Sequence, residues 1–163
     1  MKSKKNTFVS RAAVGCVTTA IFLLLCIIKG IYPFGIATLD TVDFQSQWIP
    51  AYYHVWDVLH GDGSAFFDWR VGGGNNFAGV SAQFSLFSPF NLFFLFVKRS
   101  WIEKSMIVFI IIKLLAMGYG MRWFLKEQIL KEERYGIYIL AGSVGYAVNG
   151  YTLLYYGMGW LDV

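Results

Sequence analysis

Residues 12–32 read AAVGCVTTAIFLLLCIIKGIY, 21 residues broken by a single charge, Lys29, near the end. Coiled into a helix, such a run is about 31 Å long, which matches the hydrocarbon thickness of a bilayer. It predicts a membrane span. Lys2, Lys4, Lys5 and Arg11 precede it, whereas residues 33–77 carry five aspartates and one arginine. Basic residues collect on the cytoplasmic side of a span, so the amino terminus is expected inside and the segment after residue 32 outside. Lys29-Gly30-Ile31-Tyr32-Pro33 offers no small-residue cleavage site, so the run is expected to stay on as an anchor. Ala13-Val14-Gly15-Cys16 matches a lipoprotein box only by chance, because the hydrophobic stretch follows the cysteine instead of preceding it.

The remaining composition points the same way. Of 163 residues, 56% are hydrophobic, 19% aromatic and only 15% charged, an apolar excess beyond that of soluble domains. The net charge of +4 flanks apolar runs and forms no stripe along a polar face, which argues against nucleic acid as a partner. Cys16 and Cys26 stand ten residues apart on one expected helix. A rise of about 15 Å keeps them from pairing, so no disulfide framework follows.

Two further runs, 106–125 and 135–156, are long and apolar enough to span, and 126–134 joins them on the cytoplasmic side. Residues 77–97 are less simple, because Gly79, Ser81, Gln83, Ser85, Ser88, Pro89 and Asn91 interrupt them. Only 90–97 is densely apolar, and eight helical residues reach about 12 Å, less than half the bilayer core. A re-entrant or juxtamembrane helix starting near Pro89 is expected. If this piece does not cross, Arg122, Lys126, Lys131 and Arg134 lie inside; if it does, Lys98, Arg99 and Lys104 do. Charge counting separates the two only slightly, and length decides for three spans. Lys113 falls mid-span, where a charge needs a partner or a wet cavity. Gly142, Gly145 and Asn149 share one face of the last span and suit close helix packing.

The expected architecture is therefore a single all-α integral membrane domain. It has about three transmembrane helices, plus interfacial and juxtamembrane helices within a large external loop, 33–105. In that loop Trp48, Tyr52, Val55, Trp56 and Leu59 recur at helical spacing, predicting an amphipathic helix on the membrane surface.

The densest polar cluster is Thr38-Leu39-Asp40-Thr41-Val42-Asp43-Phe44-Gln45-Ser46-Gln47-Trp48. A carboxylate at the lipid–water boundary, partly desolvated by Phe44 and Trp48, can act as general base on an acceptor hydroxyl. Capping of the next helix competes as a role for Asp40 or Asp43. His54 and His60, six apart, point to different sides of a helix and make a poor metal pair. A divalent metal held with Asp40 and Asp43 is the weaker option, and no cofactor is called for. Gly72-Gly73-Gly74-Asn75-Asn76 lacks the Lys-Ser or Lys-Thr of a nucleotide loop and reads as a sharp turn. Its backbone amides could also meet a lipid phosphate, with Arg70 as counter-charge.

Tyr32-Pro33-Phe34-Gly35, Asp43 with Gln45 and Gln47, Gly72-Gly73-Gly74-Asn75, Leu86-Phe87-Ser88-Pro89-Phe90-Asn91-Leu92 and Trp160-Leu161-Asp162 occur in this order. Together they make the chain resemble the YfhO family of bacterial membrane proteins over about its whole length. The family is similar to C-type glycosyltransferases, polytopic enzymes that use polyprenyl-phosphate sugars and carry a catalytic aspartate in the first external loop. The resemblance implies Asp43, with Asp40 less clearly matched, as the catalytic carboxylate. It implies Asp162 as a second external carboxylate, and Gln47 and Asp162 join Arg70, the counter-charge beside the glycine run, as the expected substrate-binding groups. The implied partners are the bilayer, a polyprenyl-phosphate-linked sugar and an envelope glycopolymer or glycolipid acceptor, at the bacterial cell membrane. Family members are much longer, so the chain is expected to be an amino-terminal portion, inactive alone. The rival readings are a non-catalytic or flippase-like partner for lipid-linked sugars, and a small transporter using Lys113 and Asn149.

Overall fold

The computed structural model describes residues 3–37, 39, 44–77, 88–130 and 136–155. The chain divides into two compact units, Met1–Ile36 with Ile111–Leu154, and Ala37–Ile110 with Tyr155–Val163. Among the described residues three helical segments are long and apolar enough to cross a membrane: Arg11–Ile28, Arg99–Ile129 and Gly136–Tyr155.

The first unit contains α1 (Ser3–Ile28). The expected span through residue 32 ends earlier, because Gly30 adopts φ +62° and closes the helix. Its N–H donates to Ile27 O and that of Ile31 to Cys26 O, the paired bonds by which a left-handed glycine satisfies the last carbonyls. Gly35 then folds back so closely that a Cβ there would overlap the Gly30 backbone. The next long helix, α3 (Ile102–Phe124), continues into a π-helical turn, Leu125–Ile129. It starts before the expected residue 106, and its first residues belong to the second unit.

The last span is not one helix. α4 (Gly136–Ala147) stops and α5 (Gly150–Tyr155) restarts after a break at Val148 and Asn149. The Asn149 side chain makes the break, its Oδ1 accepting the Thr152 N–H at 3.0 Å and its Nδ2 donating to Tyr146 O at 2.7 Å. A short amide side chain can replace the helical partners of nearby backbone groups, and here it caps α5.

Within this unit the helices approach through small residues. A Cβ on Gly118 would lie 3.3 Å from Val14 Cγ1 and 3.6 Å from Ala147 Cβ, and one on Gly142 would collide with Leu125. Lipid offers no hydrophobic drive between helices, so such backbone proximity and its dispersion contacts supply the cohesion. Gly145, expected to share the packing face, has open space around it. Lys113 is buried, as a mid-span charge must be to escape lipid. Leu24, Ile28 and Ile137 are exposed, an apolar surface suited to hydrocarbon.

The second unit begins with a π-helical turn, Phe44–Trp48, that leads into α2 (Ile49–Leu59), with Pro50 in its first turn where a missing N–H costs nothing. A two-residue hairpin follows, β1 (Phe67–Asp68) antiparallel to β2 (Asn75–Asn76), with Phe67 opposite Asn76. Gly72, Gly73 and Gly74 all have positive φ, so the glycine run is the sharp turn its composition predicts. Pro89–Leu95 forms a 3₁₀ helix whose first turn is capped by Ser88 Oγ, accepting the Phe90 N–H at 3.2 Å. Its seven residues span about 14 Å, too short to cross a bilayer.

One expectation for this unit is overturned. The apolar stripe of α2 exists, but Trp48, Tyr52 and Val55 are buried by protein instead of facing lipid. The Tyr52 ring lies 5.2 Å from that of Phe94 and 5.3 Å from that of Phe109, edge-on to the latter. Trp56 turns its Nε1 to donate to Val97 O at 2.7 Å. The stripe sequence assigned to a membrane surface is the core of the loop unit.

Candidate functional site

α2 places Tyr53, His54 and Asp57 on the flank opposite this core. The hairpin brings Asp68 and Arg70, the chain leading into α3 brings Arg99, and the first turn of α3 brings Glu103. Of these, Arg70 and Arg99 meet at Asp57, whose side chain is buried. Arg99 Nε donates to its Oδ1 at 2.8 Å and Arg99 Nη2 to its Oδ2 at 3.3 Å. Arg70 Nη1 donates to Oδ2 at 3.2 Å. Arg70 also donates through Nε and Nη2 to Asp68, the latter at 2.7 Å to Oδ2, and through Nη2 to Asp62 O at 2.9 Å.

The guanidinium of Arg99 holds the Asp57 carboxyl below the usual carboxylate range, outweighing the opposite effect of burial. Arg70 holds Asp68 still further down and is itself raised by that bond. Burial first, and then Glu103, raises the Tyr53 phenol, which donates to Glu103 Oε1 at 3.2 Å. The Arg99 guanidinium lies over the Tyr53 ring, 4.9 Å from its centroid.

The network borders a cleft of about 770 Å³, lined among others by Gln47, Tyr53, Arg70, Phe77, Arg99 and Glu103. That size is within the range of ligand sites. Two residues predicted from sequence, Gln47 and Arg70, are therefore brought to one cavity. Asp40, Asp43 and Asp162 lie outside the described residues. Arg70 does not offer a bare counter-charge for phosphate, because Asp57, Asp68 and the Asp62 carbonyl already engage it.

The imidazoles diverge as their spacing implies. His54 Nε2 is 3.2 Å from Ser64 O and its ring meets Phe77 edge-on, while His60 stacks on Trp56 at 3.8 Å. Among the described residues no three His, Cys, Asp or Glu side chains gather as a metal-ligand group.

Sequence reasoning missed Asp57, Arg99, Glu103 and Tyr53. Tyr53 and Asp57 stand four residues apart on the polar side of a stripe that was itself legible, so their shared face could have been found. Arg99 gave no signal beyond its charge at the edge of a span. Chemically, Asp57 and Asp68 are poor general bases, since direct guanidinium bonds lower their affinity for a proton.

No curated protein and no solved structure matches the chain. A family match does exist, to "Bacterial membrane protein YfhO", and it covers residues 15–163. With three apolar helices of spanning length and a match over nearly its whole extent, the chain belongs to the YfhO family of bacterial membrane proteins.

Proposed function

We propose that this chain belongs to a membrane glycosyltransferase that moves a sugar from a polyprenyl-phosphate donor to an envelope glycopolymer or glycolipid on the outer face. The observation that carries the reading is the cleft lined by Gln47, which stands four residues after Asp43 in the chain. Displacement at an anomeric carbon requires an acceptor hydroxyl relieved of its proton. Asp57 and Asp68 are bound to guanidinium groups, and the base role goes to the Asp43 carboxylate because the family resemblance implies it, with Asp40 as its runner-up. Asp162 is a second external carboxylate in this reading. Asn149, invoked for a transporter, has both ends of its amide engaged in capping α5, which leaves that alternative weaker.

Asp43→Asn in the complete gene product tests the reading. The amide caps a helix nearly as well as the carboxylate but cannot accept a proton, so a capping role predicts little change. A base role predicts loss of transfer by roughly 10² to 10⁴ at unchanged expression and membrane insertion. Wild-type transfer by this variant, with a polyprenyl-phosphate sugar and saturating acceptor, rejects the catalytic role. If Asp40→Asn alone abolishes transfer, the base is Asp40.

A further inference from the structure

The charges around the cleft are largely committed to one another. Arg70 and Arg99 are both bound to Asp57, and Arg70 also to Asp68, while Glu103 stands at the same cavity. Among the described residues of this network, the carboxylates therefore outnumber the guanidinium groups. A phosphate entering here would meet no uncompensated positive charge, and anions left so in a partly desolvated site are costly.

The unused polar atoms have a different character. Arg99 engages Asp57 through Nε and Nη2 and leaves Nη1 without a hydrogen bond among the described residues, on a side chain half exposed at the cleft. Glu103 accepts from Tyr53 through Oε1, and its Oε2 has no donor among the described residues. The exposed Gln47 amide adds a donor and an acceptor at the same cavity. Planar donors and acceptors of both kinds, beside the Tyr53 and Phe77 rings, suit a ligand whose hydroxyls both give and take hydrogen bonds.

We infer that the cleft binds an uncharged sugar ring of the acceptor through Arg99, Glu103 and Gln47, and that the donor phosphate binds elsewhere. Arg70 is then a positioning residue that holds Asp57 and the hairpin. This inference rests on the sugar-transfer reading for its biological sense, but it can fail separately.

The test is saturation-transfer NMR on the purified 163-residue chain in lipid nanodiscs. The ligands are methyl glucoside, methyl galactoside and the methyl glycoside of N-acetylglucosamine, each with inorganic phosphate as competitor. At least one glycoside should receive saturation at millimolar concentration, phosphate should not displace it, and Glu103→Gln should weaken it by about tenfold through loss of a charged acceptor. Arg99→Lys keeps a cation for Asp57 but loses the fork, and should weaken the same glycoside while the protein stays folded. No transfer to any glycoside, displacement by phosphate, or signals unchanged in both variants would overturn the assignment. Loss of glycoside binding together with Asp43-dependent sugar transfer in the complete gene product would refute only the cleft. Glycoside binding without any transfer would refute only the transferase reading.

Discussion

The two units are held together by different physics. In the helical unit, cohesion comes from backbone proximity: Gly118 meets Val14 and Ala147, and Gly142 meets Leu125, with exposed Leu24, Ile28 and Ile137 left for lipid. In the loop unit a conventional aromatic core, Trp48, Tyr52, Phe94 and Phe109, lies beneath α2, and its polar side is fixed by one buried carboxylate shared by two arginines. The first arrangement depends on what is absent at a few positions. The second depends on a single charged group, and it is the one that builds a cavity.

The sharpest break should come at Asp57. Asp57→Ala leaves Arg70 and Arg99 facing each other without their common anion, and removal of a buried partner is costly. Both arginine side chains are half exposed, so water offsets much of the loss and about 2 kcal/mol is expected. Thermal unfolding in detergent, followed through the fluorescence of Trp48 and Trp56, measures it. Wild-type unfolding would show that the aromatic core alone holds the unit.

A matching experiment addresses the helical unit. Gly118→Leu forces a branched side chain into space already bounded by Val14, Thr18 and Ala147, and overpacking of this kind costs roughly 1–3 kcal/mol. Gly145→Ala, on a helix with open space beside it, should change stability by no more than about 0.5 kcal/mol. Equal effects of the two on unfolding in detergent would remove the argument from close approach.

The spans were legible because twenty or so apolar residues in a row have one reading, whatever they pack against. Their ends were not, since Gly30 and Asn149 terminate helices through backbone conformation and side-chain capping that hydropathy does not record. The stripe on α2 was legible as a helix but assigned to lipid, because periodicity marks the buried face and not what covers it. Gln47 was reached through family resemblance and Arg70 as a counter-charge beside the glycine run, whereas Asp57 and Arg99 lie 42 residues apart and only folding joins them. A cleft built from such long-range pairs has no local spacing to read.

The smallest effect concerns pH. Asp57 and Asp68 have carboxyls lowered in the folded state, so their contribution is fully present above the unfolded value of about 3.9 and is lost as pH falls through the lower folded values. Between neutrality and pH 5, the loop unit's unfolding temperature should not change through these groups. It should begin to fall below about pH 4, and Asp57→Ala should flatten that fall. An acid response identical in the variant would assign it to other carboxylates.

Sugar transfer on the outer face requires the cleft-bearing segment to be external and the 126–134 connection internal. Single-cysteine variants at Ser100 and Lys131, made after replacing Cys16 and Cys26, can be treated in intact cells with an impermeant thiol reagent. Three crossings with the amino terminus inside predict labelling at position 100 and protection at position 131. Labelling at 131 with protection at 100 would place the cleft in the cytoplasm and contradict transfer at the outer face.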